Sequence, residues 1–528
     1  MLGLNFQQWI LSLPRVAPYV GGSTQHHHIA SGSPWAAVAS SSSCCEALSN
    51  SLGSDSVVFP DDAAYPSTIG SFFSSRNHDL HPSCVAFPKS AQDVSTAVQV
   101  LSLGAQVWSG KCQFGIRGGG HTPFKGAANI DGGIVLDTLH LPSSGLSPNH
   151  ETITVSPSTT WDQVYEGLAE KNRSTLGTKV AGVGVGGAAT SCGVSYFSPR
   201  HGFICDMVEN FEVVLATGDV VNANIKENPR LWKALRGGSN NFGVVTALTL
   251  RTFEQGVFWG GQTFHDIDTR KQHFRTVEQI TNSHPFDPYA HFVTSLVMTN
   301  MTRDWFVANS LQYTKSNPPM PEPKVFKPFL DVPQTPPFPG APPNTLRVDD
   351  VTGYSREFAA PLTYPKRWSF ATISFAPNAG FMEQFFQMAN DAMQTFFDLP
   401  GFVLALNYQA IPTVQSERHR GLDSLGPVHT EGNMVFIHWT LGFDQSEVDS
   451  EDAIQQVVQQ LFEDANEKAK SMNVHRNYIQ HTYAEQWQNP YDSRSKGTVR
   501  DLLETSRMYD PLQVFQKQVP GGFKLPQL

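Results

Sequence analysis

Charge is scarce in this chain of 528 residues. Only 16% are Asp, Glu, Lys or Arg, the formal net charge is -10, and no basic run interrupts that balance. Polyanions are held by Lys and Arg that displace counterions, so the composition argues against nucleic acid as the main partner. Long apolar runs are also missing: no stretch reaches the about 18 uninterrupted residues of a membrane-spanning helix, and no membrane partner is expected. Cysteine is sparse, with six residues and no C-x-x-C pair, which speaks against a zinc site. Four of the six, Cys44, Cys45, Cys84 and Cys112, nevertheless crowd the first fifth of the chain and read as a local disulfide framework. What is plentiful is apolar material: 40% hydrophobic and 11% aromatic, with 35 Phe and 10 Trp. That suffices for a large core and an aromatic-lined pocket. A chain of this length outgrows a single core, so two lobes are expected.

Residues 1–39 read as a leader. Leu2 to Leu13 is moderately apolar but lacks a basic start and contains Gln7 and Gln8, which leaves a secretion signal open. His26, His27 and His28 stand side by side in a Gly/Ser-rich stretch and cannot all converge on one ion. Asn172-Arg173-Ser174 and Asn300-Met301-Thr302 are glycosylation sequons that matter only in a secreted chain. With the cysteine cluster they point to an oxidising compartment, and a cytoplasmic location stays the alternative.

Ser90 followed by Asp93, with Val94, Ala97, Val98 and Leu101 at helical spacing, predicts a capped helix from Ser90 to about Leu103. Thr160 and Gln163 repeat the device ahead of Val164 and Leu168. Asn228-Pro229 predicts another start, with Asn as cap and Pro in the first turn, and a stop at Gly237. Short β-rich runs occur at Ile134 to Leu136, Ile153 to Val155, Glu212 to Leu215 and Val244 to Leu250. These elements do not alternate as in a doubly wound fold, so an α+β domain is expected. The eleven prolines between Pro318 and Pro343 predict an extended surface excursion without regular structure. From Glu451 to Lys470, Ile454, Val457, Val458, Leu461, Phe462 and Ala465 define an amphipathic helix.

The segment Arg117-Gly118-Gly119-Gly120-His121 lets backbone amides approach a ligand that side chains would block, and a diphosphate suits such a loop. A second glycine run, Gly182 to Gly187, is followed by Gly193. It lacks the preceding strand and the downstream acid of a nicotinamide site. A third cluster spans Arg236 to Gly243. Three such loops suggest one large, extended cofactor.

These motifs, joined by Phe197-Ser198-Pro199-Arg200-His201-Gly202 with Asp206 and by Tyr509-Asp510-Pro511 with Val514-Phe515-Gln516, resemble the berberine-bridge-enzyme-like FAD-linked oxidases of the vanillyl-alcohol-oxidase superfamily. The likeness is strongest to fungal specialised-metabolite members and covers roughly residues 40 to 528. It implies a PCMH-type FAD-binding domain at 40–254, a substrate domain at 255–474 with an antiparallel sheet covered by helices, and a segment 475–528 returning to the first domain. It implies FAD linked covalently through His121. Further cofactor contacts carried over are Arg117, Gly118, Gly119, Gly120, Thr122, Val183, Gly184, Gly186, Gly187, Gly193, Gly243, Val245 and Thr482. Many members have a second link through a cysteine, but the aligned position here is Val180, so a single link is expected. Cys192, which replaces a usual glycine, reads as a buried packing thiol. Val183 aligns with a position permissive for O2.

Gln480-His481-Thr482-Tyr483-Ala484 stands where relatives carry Tyr-x-Asn-Tyr-Ala, which makes Tyr483 the candidate base. A phenol near pKa 10 needs a helper at neutral pH, for which His481 and Arg367 are the candidates. The resemblance implies an oxidase passing hydride from a small-molecule substrate to the flavin and on to O2. Trp368, Phe370, Phe375, Tyr408 and Trp439 suggest a flat or hydrophobic specialised metabolite. The alternatives are a flavin-containing cyclase with little net oxidation and a noncatalytic flavin-binding protein. Oligomeric state is not readable.

Overall fold

A computed structural model describes residues 33–526 except 109, 317, 319–321, 363 and 364. The triple His and the possible signal lie outside the described residues. The end of the expected leader is ordered: Pro34–Ser40 is helical and buries Ala37 and Val38.

The fold is α+β and rests on three main sheets. A small mixed sheet has the order Val57–Val58, Cys84–Ala86, Ile134–Asp137, Phe114–Arg117, and the last three strands run parallel. Its core is shared with the Ala91–Val107 helix. Ser90 caps that helix by accepting the Asp93 amide at 3.1 Å. The helix passes the expected end at Leu103 because Gly104 serves packing, not termination. A Cβ there would lie 2.8 Å from Cys44 Sγ and 2.7 Å from Cys112 Sγ, so only glycine leaves room for the Cys44–Cys112 bridge. Cys45 pairs with Cys84, which completes the framework read from the cysteine cluster.

The second sheet is antiparallel, ordered Gly145–Leu146, Thr152–Val155, Val244–Arg251, Val208–Val214, Val220–Asn224. Helices Trp161–Ala169 and Pro229–Gly238 pack on it. The latter leaves helical geometry at Arg236 and Gly237, close to the expected stop. Asn228, expected as its cap, has φ +49° and makes no side-chain cap. Its side-chain Nδ2 donates to the Asn222 carbonyl at 2.7 Å, and its Oδ1 accepts from Tyr509 OH at 3.1 Å.

The third sheet is fully antiparallel with seven strands: Arg347–Asp349, Phe258–Asp266, Trp305–Tyr313, Ala290–Thr299, Val403–Ile411, Met434–Asp444 and Lys366–Phe375. Side chains alternate between the faces of a strand, and the sequence uses both. Val435, Ile437, Trp439 and Leu441 join Leu404, Leu406 and Tyr408 in one apolar layer, covered by helices Arg270–Thr281, Ala379–Met393 and Glu451–Ser471. The opposite face carries Gln409 beside Phe436 and Asn407 beside His438. Three of the aromatics expected to line a pocket, Phe375, Tyr408 and Trp439, therefore belong to the helix-covered core.

The proline-rich excursion is not free of regular structure. Lys327–Leu330 forms a short helix with Pro328 in its first turn, where the missing N–H costs nothing. Phe326 and Phe329 on this segment are buried in the third-sheet core.

Candidate active site

The Arg117 to His121 loop leaves the Phe114–Arg117 strand and meets the second glycine run directly. A Cβ on Gly119 would lie 2.5 Å from the Gly184 nitrogen, and a Cβ on Gly184 equally close to the Gly119 nitrogen. Gly118 and Gly186 both press on Pro157, where added Cβ atoms would sit 3.2 and 2.7 Å from its nearest atoms. Gly120 has φ +66°. Gly187 is different: it is exposed, and a Cβ there would meet nothing within 4 Å. Five of these glycines are thus needed by the protein itself, while Gly187 faces open space that a ligand can fill.

His121 ends the loop half-buried. Its imidazole stacks on Phe73 at 3.9 Å with an interplanar angle of 16°, and burial pulls its pKa down to about 4. The ring is therefore neutral, with a nitrogen lone pair available for bonding. Phe73 belongs to a hub the sequence did not reveal. Its amide donates to the Gly120 carbonyl at 3.1 Å, Ser74 Oγ accepts the Trp368 amide at 3.0 Å, and Asn77 Nδ2 donates to the Thr122 carbonyl at 3.1 Å. Arg76 donates at 2.9 Å to both Glu451 and Glu485, and at 3.2 Å to the Pro123 carbonyl.

Arg117 was expected to contact the cofactor, but its guanidinium is engaged within the protein. It bonds the Thr68 carbonyl at 3.2 Å and Ser71 Oγ at 2.8 Å, faces Asp137 at 3.3 Å, and lies over the Phe72 ring. Thr122 Oγ1 accepts the Phe124 amide at 3.2 Å, and the Val183 carbonyl accepts the Trp161 amide at 3.0 Å. Gly243 is pressed against Val213, 2.4 Å from a hypothetical Cβ, and Val245 pairs with Val213 in the second sheet.

Cys192 is not a free packing thiol: it is bonded to Cys205. Its φ of +53° keeps the backbone shape that a glycine would take, with the bridge pinning the turn. All six cysteines are thereby paired, and none is left as a thiol. Gln480 Nε2 donates to the Cys192 carbonyl at 3.2 Å and to Thr482 Oγ1 at 2.9 Å. The Thr482 methyl lies 3.7 Å from a Cβ built on Gly193, so the C-terminal segment closes on the second glycine run.

Tyr483 stacks on His438 at 3.8 Å, with 8° between the rings, and the edge of Phe370 meets His438 at 4.6 Å. Its hydroxyl accepts from Gln409 Nε2 at 3.4 Å, and Gln409 Oε1 in turn accepts from Lys179 Nζ. Burial pushes the Tyr483 phenol up to about 12, which works against its serving as a base at neutral pH. Neither expected helper is in place. Arg367 is bound to Asp79 and Glu451, and His481 packs edge-on to Tyr491 and Phe523 with its pKa drawn down to about 3 by burial. Lys179, Gln409, His438 and His291 cluster about Tyr483 instead. Only the strand residues among them left a signal in the sequence, as polar side chains at alternate positions of apolar runs. A cavity of about 740 Å³ lined by Arg230, Asp423, His429 and Asp501 shares no residue with this site.

An FAD binding domain model matches residues 82–224, a span that contains the first two glycine loops. Over all 528 residues the chain is 65% identical to the FAD-dependent monooxygenase CTB5 of Cercospora beticola, covering 100% of both chains. It is 55% identical to the FAD-dependent monooxygenase elcE of Phaeosphaeria nodorum over 337 residues, 64% of this chain and 98% of the relative. The chain belongs to the same family as these fungal FAD-dependent enzymes. The fold agrees. 6-Hydroxy-D-nicotine oxidase from Arthrobacter nicotinovorans superposes with a TM-score of 0.70 at 18% identity, covering 89% of this chain and 97% of the other. The Physcomitrella patens BBE-like 1 protein gives 0.70 at 17% identity over 89% and 97%. As a member of this family the chain is an FAD-dependent enzyme. The open side of Gly187 and the neutral His121 imidazole fit that cofactor.

Proposed function

We propose that this enzyme is an oxidase of a small specialised metabolite and carries FAD covalently through His121 alone. The observation that carries this reading is the neutral His121 imidazole, held on Phe73 at the end of the glycine loop. The pairing of every cysteine supports a single link, because no thiol remains to form a second one. When bound, FAD supplies a two-electron acceptor for hydride and a route for those electrons to O2. The chain's own groups do the rest. Glycine loops 117–121 and 182–187 admit the diphosphate to backbone amides, with Thr122 and Thr482 at their edges.

In this reading residues 40–254 with 475–528 hold the cofactor, and 255–474 bring the polar face of the seven-stranded sheet over the substrate. Tyr483, protonated at neutral pH, acts as a hydrogen-bond donor to a substrate oxygen and not as the base. The Tyr483–His438 stack, with Phe370 edge-on to it, gives aromatic surface suited to a conjugated substrate, and Val183 stands where O2 is admitted.

A second reading is favoured by the names of the relatives, which are called monooxygenases. An oxidase returns both O2 atoms as hydrogen peroxide, whereas a monooxygenase places one in the product and needs an added two-electron donor. Turnover under isotopically labelled O2 separates them. The oxidase reading requires one peroxide per O2, no label in the product and no added reductant. Label retained in the product, with dependence on a reductant, establishes the monooxygenase instead. Product formed without O2 consumption establishes a cyclase.

A further inference from the structure

Lys179 directly precedes Val180, which aligns with the second flavin link of many family members, and its amine is joined through the Gln409 side chain to the Tyr483 hydroxyl. Burying an amine is costly unless a partner compensates, and lysines kept in such places usually have work to do. This one is 4% exposed. Among the described residues its Nζ has one hydrogen-bond partner, Gln409 Oε1, and no carboxylate pairs with it. The surrounding titratable groups are Tyr483, His438 and His291. Burial and the charge of Lys179 itself keep both imidazoles neutral, and Gln312 holds His291 at 3.1 Å. Tyr196 donates to the Lys179 backbone carbonyl at 3.2 Å, which fixes the segment. Desolvation pulls the amine down to about 7, so near neutral pH a free lone pair is available inside the protein.

We propose that Lys179 is the base and anchor for an acidic hydroxyl of the substrate, a phenol or enol conjugated to a flat ring system. The proposal rests on reading this pocket as the substrate site of the FAD-linked enzyme. In the step, the substrate O–H bond breaks and its proton forms a new N–H bond at Nζ. No electrons are transferred, and the products are a phenolate and the lysine ammonium held against it. Gln409 keeps Nζ in place on one side and reaches Tyr483 on the other, so two donors, the ammonium and the Tyr483 hydroxyl, converge on the new oxyanion. The resulting electron-rich ring is the form that gives up hydride or electrons readily. A carboxylate arrives already ionised and needs no base, and sites built for one favour the permanently charged, forked guanidinium of arginine. A titrating amine matches a titrating hydroxyl.

The probes are 4-nitrophenol, its methyl ether 4-nitroanisole, and 4-nitrobenzoate. Each is titrated into the flavin-loaded enzyme near neutral pH, where part of the amine is free and free nitrophenol is only partly ionised, with wild type compared to Lys179→Met. The expected result is that wild type binds nitrophenol in its coloured, ionised form and at least about tenfold more tightly than nitroanisole. Lys179→Met should lose that margin and leave bound nitrophenol neutral, with nitroanisole binding unchanged. Nitrophenol remaining neutral on wild type, or binding no better than the ether, overturns the proposal without recourse to any variant. Tighter binding of nitrobenzoate than of nitrophenol also overturns it, in favour of a carboxylate site. Flavin content of the same preparation, measured after acid precipitation, reports separately on the FAD reading.

Discussion

The glycines of the site divide by what their missing Cβ would meet, and that division is testable. Gly119 abuts the backbone of Gly184, so Gly119→Ala forces the two loops apart. Overpacking of this kind costs about 1–3 kcal/mol. Gly187 meets only open space, so Gly187→Ala costs no protein contact, and a helical glycine replaced by alanine gains about 0.5–1 kcal/mol. If the cofactor passes over Gly187, that variant keeps or raises its thermal stability while its flavin content falls, and Gly119→Ala loses both. Unchanged flavin content in Gly187→Ala contradicts the assignment. The glycine pattern was legible from sequence because close approach leaves no other residue. Whether the neighbour is ligand or protein was not legible, since that depends on loops sixty residues apart. Arg117 shows the same limit. A basic residue beside a glycine loop reads as a ligand contact, yet it holds the 68–72 turn.

Single elements were read well where the pattern is local. The Ser90 cap, the Glu451 helix and the second-sheet strands follow from capping chemistry and periodicity. The pattern departs from the structure where tertiary context overrides it: the first helix runs past Leu103 because Gly104 accommodates a disulfide, and Pro328 opens a helix inside the proline-rich stretch. The 72–77 turn is the clearest gap. Nothing in Phe72-Phe73-Ser74-Ser75-Arg76-Asn77 marks it, yet it stacks on His121 and pairs with residues nearly 300 to 400 positions away. Its strongest tie is the buried set Arg76, Glu451, Arg367 and Glu485, with Arg76 at 1% exposure. Removing one charge from such a set leaves the others uncompensated, which costs about 3 kcal/mol or more. Glu451→Gln is therefore expected to lower the midpoint of thermal unfolding clearly, while the exposed-pair variant Glu504→Gln leaves it nearly unchanged. Equal small effects would show that the set is not holding the turn.

Across the whole molecule, one sheet has two destinations. Apolar positions of the seven-stranded sheet bury against helices, and alternate polar positions face the segment that closes on the glycine loops. Aromatic richness alone did not separate those faces, which is why Phe375, Tyr408 and Trp439 misled. The pocket they left is smaller in aromatics and richer in titratable groups, with Lys179 and His438 beside Tyr483. Two of the three disulfides fasten the Cys44–Leu52 helix, one to the first-sheet strand at Cys84 and one to Cys112 ahead of the Phe114–Arg117 strand, and the third fixes the turn before Asp206. The flavin is anchored, in the proposed function, through His121. The direct measurement is the visible spectrum of purified protein before and after acid precipitation, for wild type and for His121→Ala. A bond through His121 leaves yellow colour in the wild-type pellet and gives a colourless pellet, with any flavin left in the supernatant, for the variant. Flavin released from the wild-type protein by acid would contradict it.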